Sequence, residues 1–273
     1  MEPTGIMAKA AGVALESAEK EAGPFVRAIL GGPGGVLWGI AGDWARELRH
    51  KNLISIFLRA KRRLEDAGVS PHAVPLKIIH PFLEAASLEE EPELQELWAN
   101  LIANGADPRN VNSLRVVYIE MLRTLSACQA KFLDEVFALR RQEDGGILHE
   151  AHGWTFVIGE LEEPAFRAGV ITRTQLTGLT YGEYAENEKE ISDCFRQLDM
   201  ALTNFQRNGI MEPITGVEDI VLSRELSDVP LNGTVGQVMS SLMRVRFRPK
   251  ASVRYRLTAL GRAFIVACKP PQK

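Results

Sequence analysis

Cysteine is scarce in this 273-residue chain: Cys128, Cys194 and Cys268 are odd in number, far apart and form no C-x-x-C pair. That excludes a disulfide framework and a cysteine-held zinc site, and a reducing compartment, the cytoplasm, fits best. An excess of either charge is also lacking, with 32 Lys and Arg against 35 Asp and Glu and a formal net charge of −3. A surface that binds nucleic acid or anionic lipid over its whole extent is thereby excluded, and any such binding must be regional. No apolar run approaches the roughly 20 residues of a spanning helix; the nearest, from Gly23 to Ala41, is broken by Arg27, Pro33 and several glycines. Met1-Glu-Pro-Thr-Gly5 has no positive region ahead of an apolar one, so export is not expected. Internal repeats and low-complexity tracts are absent.

Catalytic and ligand-holding motifs are missing as well. Gly31-Gly-Pro-Gly-Gly35 runs into Val36-Leu37-Trp38 rather than the Gly-Lys-Ser/Thr that a phosphate-cradling loop needs, and reads as a hinge. His149-Glu-Ala-His152 is one residue short of H-E-x-x-H, and no Gly-x-Ser-x-Gly elbow or Cys/His pair occurs. The chain is therefore expected to be non-enzymatic, with no cofactor and no metal.

What is present is apolar periodicity, in a chain that is 45% hydrophobic. Residues 1–43 read as an Ala/Gly-rich entry segment expected to be mobile, with a weak helix to about Lys20. Residues 44–125 read as a helical domain. Its first helix has Leu53, Ile54, Phe57, Leu58 and Leu64 on one face and Lys51, Arg59, Arg62 and Arg63 on the rest, with Gly68 as its stop. A kinked helix around Pro81 follows. Ser87 with Glu90 then matches a capping box that would start a helix bearing Leu94, Leu97, Trp98, Leu101 and Ile102 on one face. Asn100 and Asn104 lie one turn apart beside that face, placed to bond loop backbone. A helix from Ser113 to Thr124 would turn Leu114, Val117, Tyr118, Met121 and Leu122 inward.

Residues 126–273 change character. A helix from Ser126 to Arg141, a strand at Trp154–Ile158 and a helix from Glu188 to Asn208 capped by Gly209 lead into alternating chain. Val245 and Phe247 alternate with Arg244, Arg246 and Arg248, and beyond Pro249-Lys250 come Val253, Tyr255 and Leu257 against Arg254 and Arg256. This predicts a two-stranded basic ribbon. The order is that of a winged helix, with the ribbon as wing and Thr258 to Cys268 as a closing helix. The fold class expected is mainly α, an N-terminal helical domain followed by a winged-helix-like α+β domain. Arg244, Arg246, Arg248, Lys250, Arg254 and Arg256, with Arg262, are the candidate nucleic-acid-binding residues, because clustered bases neutralise phosphates. The competing explanation is that they solvate an edge or pair with acids. Glu190, Asp193 and Asp199 make the preceding helix a poor fit to a major groove.

Several strings carry a resemblance: Gly31–Gly35 leading into Gly42-Asp43-Trp44, Arg49-His-Lys-Asn-Leu53, Val74-Pro-Leu-Lys-Ile78, and Ala86 through Asn104. Tyr118-Ile-Glu-Met-Leu122, Leu125-Ser-Ala and Leu202-Thr-Asn-Phe-Gln-Arg-Asn-Gly-Ile210 extend it. Together these resemble the bacterial Abi-alpha family, whose name associates it with abortive infection, in which a phage-infected cell stops growing or dies. The resemblance implies a phage-defence role and supplies no catalytic residues. A protein partner or self-association is the expected mode of action. Nucleic acid at the basic ribbon, or a membrane at Gly23 to Leu64, are the alternatives.

Overall fold

The computed structural model describes residues 3–30, 43–110, 114–143, 154–172, 179–180, 188–214, 246–247 and 254–272. Among these the protein is mainly helical, with five short strands. It divides into two compact units: residues 1–127 together with 264–273, and residues 128–263.

The first unit contains α1 (Pro3–Leu30), α2 (Asp43–Asp66), α3 (Leu76–Ala86), α4 (Pro92–Ala106) and α5 (Val116–Thr124). The first helix does not stop near Lys20 but continues to Leu30, because Ala22, Phe25 and Ile29 fall on one face and are buried. A run of aromatic rings carries the core from helix to helix. Phe25 meets Phe57 edge-on at 6.3 Å, Phe57 meets Phe82 at 6.4 Å, and Phe82 meets Trp98 edge-on at 5.4 Å. One ring comes from each of α1 to α4. Burying such a side chain contributes about 1.5–3 kcal/mol, and each favourable ring pair about 0.5–1.5 kcal/mol more.

The capping box expected at Ser87 and Glu90 is not what starts α4. Ser87 ends α3, its hydroxyl donating to the Glu84 carbonyl at 2.9 Å, and α4 begins at Pro92 after Glu91. Proline suits the first helical position, where its missing N–H is not needed. Glu89 folds over this start instead. Its carbonyl accepts from Gln95 Nε2 at 2.9 Å and its carboxylate from the Glu91 N–H at 3.1 Å and Trp98 Nε1 at 3.4 Å. In α5, Tyr118, Met121 and Leu122 are buried as expected, whereas Val117 is exposed.

The second unit contains most of α6 (Ala127–Glu143), then β1 (Thr155–Val157), α7 (Ile158–Arg167), β2 (Leu179–Thr180), α8 (Glu188–Arg207), β3 (Met211–Ile214), β4 (Arg246–Phe247), β5 (Arg254–Leu257) and the first part of α9 (Ala259–Ala267). Gly68 after α2 and Gly209 after α8 both sit at φ +67, where a Cβ would be strained. The next amide reaches back five residues in each case, Val69 to Leu64 and Ile210 to Phe205, closing the helix.

β1, β5 and β3 form an antiparallel sheet with β5 in the centre. Phe156 lies opposite Tyr255, and Met211 opposite Leu257. All four are buried, while Arg254 and Arg256 are exposed, the alternation of period two that the sequence shows. The expected ribbon is different in its partners, because 246–247 pairs with 179–180 and not with 254–257. The physical reason is burial: Tyr255 lies between Phe156 of β1 and Pro213 of β3, and Leu257 beside Met211 of β3, which a two-stranded ribbon would not provide.

Candidate functional site

The three-stranded sheet sets the positions of two candidate bases. Arg254 and Arg256 point to the exposed face of β5. Arg256 is held there by a cross-strand acid, its Nε donating to Glu212 Oε1 at 2.6 Å. Arg262, on α9, lies 5.3 Å over the Trp154 ring and donates to the Leu257 carbonyl at 3.0 Å, while Trp154 stacks on Phe137 at 5.1 Å. A guanidinium over an indole face is attracted to the ring quadrupole. Arg246 lies on β4 opposite Thr180. Arg244, Arg248 and Lys250 lie outside the described residues, as do His149 and His152.

α8 turns Ile191, Cys194, Leu198, Leu202 and Phe205 inward. Its outer face is mixed: Lys189, Arg196, Gln197, Asp199 and Arg207 are exposed, Asp193 accepts from Arg196 at 2.8 Å, and Met200 is 64% exposed. This is a surface of both charges around an apolar centre, and base-edge readout in a groove favours donors without adjacent carboxylates.

On α2 the apolar face that a membrane-surface helix would need is inside the unit, with Leu53, Ile54, Ile56, Phe57, Ala60 and Leu64 buried. Three of its bases, Arg59, Lys61 and Arg63, are paired within the unit, while Lys51 and Arg62 are exposed. Arg59 and Arg63 both reach Glu96, and Lys61 lies 3.5 Å from Glu21 and 3.7 Å from Glu65. Asn52 Nδ2 donates to the Ser87 carbonyl at 3.1 Å, and the Ser55 hydroxyl to Gln95 Oε1 at 2.9 Å. Among the described residues no helix is long and apolar enough to cross a membrane.

Among the described residues, a dense set of polar bonds clamps residues 267–272. Asn100 and Asn104, buried on α4, present their amides to the last carbonyls of α9 and the residues after it. Asn100 Nδ2 donates to the Cys268 carbonyl at 2.8 Å, and Asn104 Nδ2 to those of Ala267 at 2.9 Å and Lys269 at 2.7 Å. A helix end leaves four carbonyls without intrahelical donors, and the clamp supplies them from another helix. Arg109 adds a bond to the Gln272 carbonyl at 2.9 Å. The sequence places the two asparagines one turn apart; their partners, more than 160 residues away, are not signalled by any local pattern.

Asp107 supports Arg109 from below. It is fully buried and accepts from the Arg109 backbone N–H at 2.8 Å and from its guanidinium at 2.9 Å. Hydrogen bonds from Arg109 hold the Asp107 carboxyl below the usual carboxylate range, outweighing the desolvation that raises it. A depressed carboxylate favours the folded state above the unfolded value of about 3.9, and that contribution is lost as pH falls through the lower folded value. Thermal melts taken from pH 6 downward should therefore lose stability below about pH 4, and Asp107→Asn should flatten this acid limb while lowering stability at neutral pH. An acid limb identical in the variant would contradict the assignment.

At the other end of α9, the Thr258 hydroxyl caps the helix, accepting from the Gly261 N–H at 2.9 Å while donating to the Gly209 carbonyl at 2.6 Å. Gly261 passes so close to the end of α8 that a Cβ there would lie 2.2 Å from the Ile210 carbonyl oxygen. Among the described residues no group of three or more His, Cys, Asp or Glu is placed to hold a metal ion.

No curated protein and no solved structure matches the chain. The family model described as Abortive infection alpha matches residues 51–268. That span runs from the start of the α2 polar ladder, through both clamp asparagines and the Gly261 crossing, to Cys268, whose carbonyl Asn100 binds. The chain belongs to the Abortive infection alpha family.

Proposed function

We propose that the chain is a non-enzymatic phage-defence factor of the abortive-infection type, acting in the cytoplasm through protein association. Membership of the family supports an abortive-infection-type role. The observation that carries the association step is the outer face of α8, where an exposed Met200 is ringed by both charges, next to a sheet whose Arg256 is already paired. A single exposed apolar side chain is ordinary on a protein surface; what favours association here is its place at the centre of a helix face that carries both charges. Phe166 on α7 is a second such residue, 44% exposed.

A nucleic-acid-binding reading rests on topology. α6, β1, α7, α8, β3 and a central β5 follow the order of a winged helix, the class in which the helix before the β-ribbon enters a groove. Arg254 is exposed beside it. Against this stand the acids of α8 and the engagement of Arg256 and Arg262.

The two readings separate in one experiment. Bacteria expressing the chain should resist phage, and the triple variant Arg246→Ala, Arg254→Ala, Arg256→Ala should protect as well as the wild type. In parallel, salt-titrated binding to duplex DNA, single strands and RNA should show no steep loss of affinity with salt. Protection lost in the triple variant, together with loss of a salt-sensitive complex, would overturn association in favour of nucleic-acid binding.

A further inference from the structure

Resting on that association reading, we propose that the partner is a second copy of this chain, docked α8 against α8 in antiparallel fashion about Met200.

The argument is self-complementarity. In a two-fold pairing each residue meets the one equally far from the centre in the other direction, so a suitable face must be its own partner. Lys189, Asp193, Arg196, Met200, Thr203 and Arg207 recur at the spacings of one helix stripe. Asp193 and Arg207 stand seven residues either side of Met200, which is two turns each way. Antiparallel pairing therefore sets Asp193 against Arg207 of the second copy, and Arg207 against its Asp193, with Met200 on Met200 between them.

The remaining pairs are compatible. Arg196 falls opposite Asn204, whose amide donates to Gln129 on α6 at 2.8 Å, and Gln197 opposite Thr203; Asp193 lies between Arg196 and Arg207 of the second copy and screens one from the other. Asp193 already accepts from Arg196 at 2.8 Å, and a carboxylate has acceptor positions left for a second guanidinium. Antiparallel helices also set opposite dipole ends side by side. A pair of 20-residue helices with one apolar side chain each at the centre falls below the roughly 1,200 Å² of a standard interface. The expected complex is reversible and salt-sensitive, with micromolar affinity.

Sedimentation of the full chain over a concentration series is the test, with circular dichroism confirming that each variant is folded. Wild type should dimerise reversibly, and Arg207→Asp should weaken the dimer about tenfold or more by setting two acids together at each end. The double variant Asp193→Arg, Arg207→Asp restores both intermolecular pairs with reversed polarity but loses the Asp193–Arg196 pair, and should associate more tightly than Arg207→Asp alone. Met200→Glu should abolish it.

A folded wild type that stays monomeric up to about 100 μM, a hundredfold above a micromolar Kd, would overturn the proposal. A double variant no better than the single one would do the same. If such a monomer still protects cells from phage in the presence of the triple arginine substitution, self-pairing fails while association with another protein stands; loss of that protection is the separate failure of the association reading.

Discussion

Gly261→Ala is expected to destabilise the second unit by about 3 kcal/mol or more, although it adds a single methyl group. The added carbon would lie 2.2 Å from the Ile210 carbonyl oxygen and 2.9 Å from its carbon, both main-chain atoms. Neither can rotate away as a side chain would. The Ile210 carbonyl also accepts from the Thr258 N–H at 3.0 Å, and the Ile210 N–H bonds Phe205 at 2.8 Å, so moving it breaks the closure of α8 and the entry to α9 together. Gly68→Ala is the control. Nothing lies within 4 Å of a Cβ there, and only the strain of a positive φ remains, about 1–2 kcal/mol. Urea unfolding followed by circular dichroism measures both. Equal losses at the two sites would refute the crossing argument.

The second large effect is expected at Asn104. Asn104→Asp keeps the shape but replaces the amide donors with a carboxylate that faces the Ala267 and Lys269 carbonyls. Two buried bonds are lost, at about 1–3 kcal/mol each, and a charge is set against two carbonyl dipoles. We expect a loss of about 3 kcal/mol or more at neutral pH, read by thermal melting, with early proteolytic cleavage of residues 268–272. Acid should restore part of it, since a protonated carboxyl can donate one bond. A melting temperature independent of the substitution would show that the clamp is decorative. The tail brings more than hydrogen bonds, since Phe264, Ile265 and Cys268 are buried with it and Phe264 packs on Tyr118 at 5.9 Å.

The helices of the first unit were legible because their apolar faces recur at helical spacing, and Trp98, Leu101 and Ile102 are buried as that spacing requires. Boundaries were less so. Ser87 and Glu90 satisfy a capping pattern locally, but Pro92 offers a second start, and Glu89 bonding Gln95 and Trp98 decides between them. For β5, alternation identified which side chains are buried and said nothing of which strands flank it. Its neighbours lie about 40 residues back for β3 and about 100 for β1, distances over which period two carries no information. Arg256 and Arg262 stand out in the sequence because charge is visible there and its partner is not; Glu212 and Trp154 become their neighbours only through the fold. Gly261 had no local signal beyond its place in Leu257-Thr-Ala-Leu-Gly261.

The second unit is an insertion within the first: the chain departs after Ala127 and re-enters at Phe264. During synthesis, domains ordinarily fold in the order in which they are made. Here the order is inverted, because the earlier-made unit lacks Phe264, Ile265 and Cys268 until the whole of the later one has been made. A protein of this build acquires its N-terminal fold last, and a message cut short anywhere before codon 264 yields a chain in which Asn100 and Asn104 have nothing to hold.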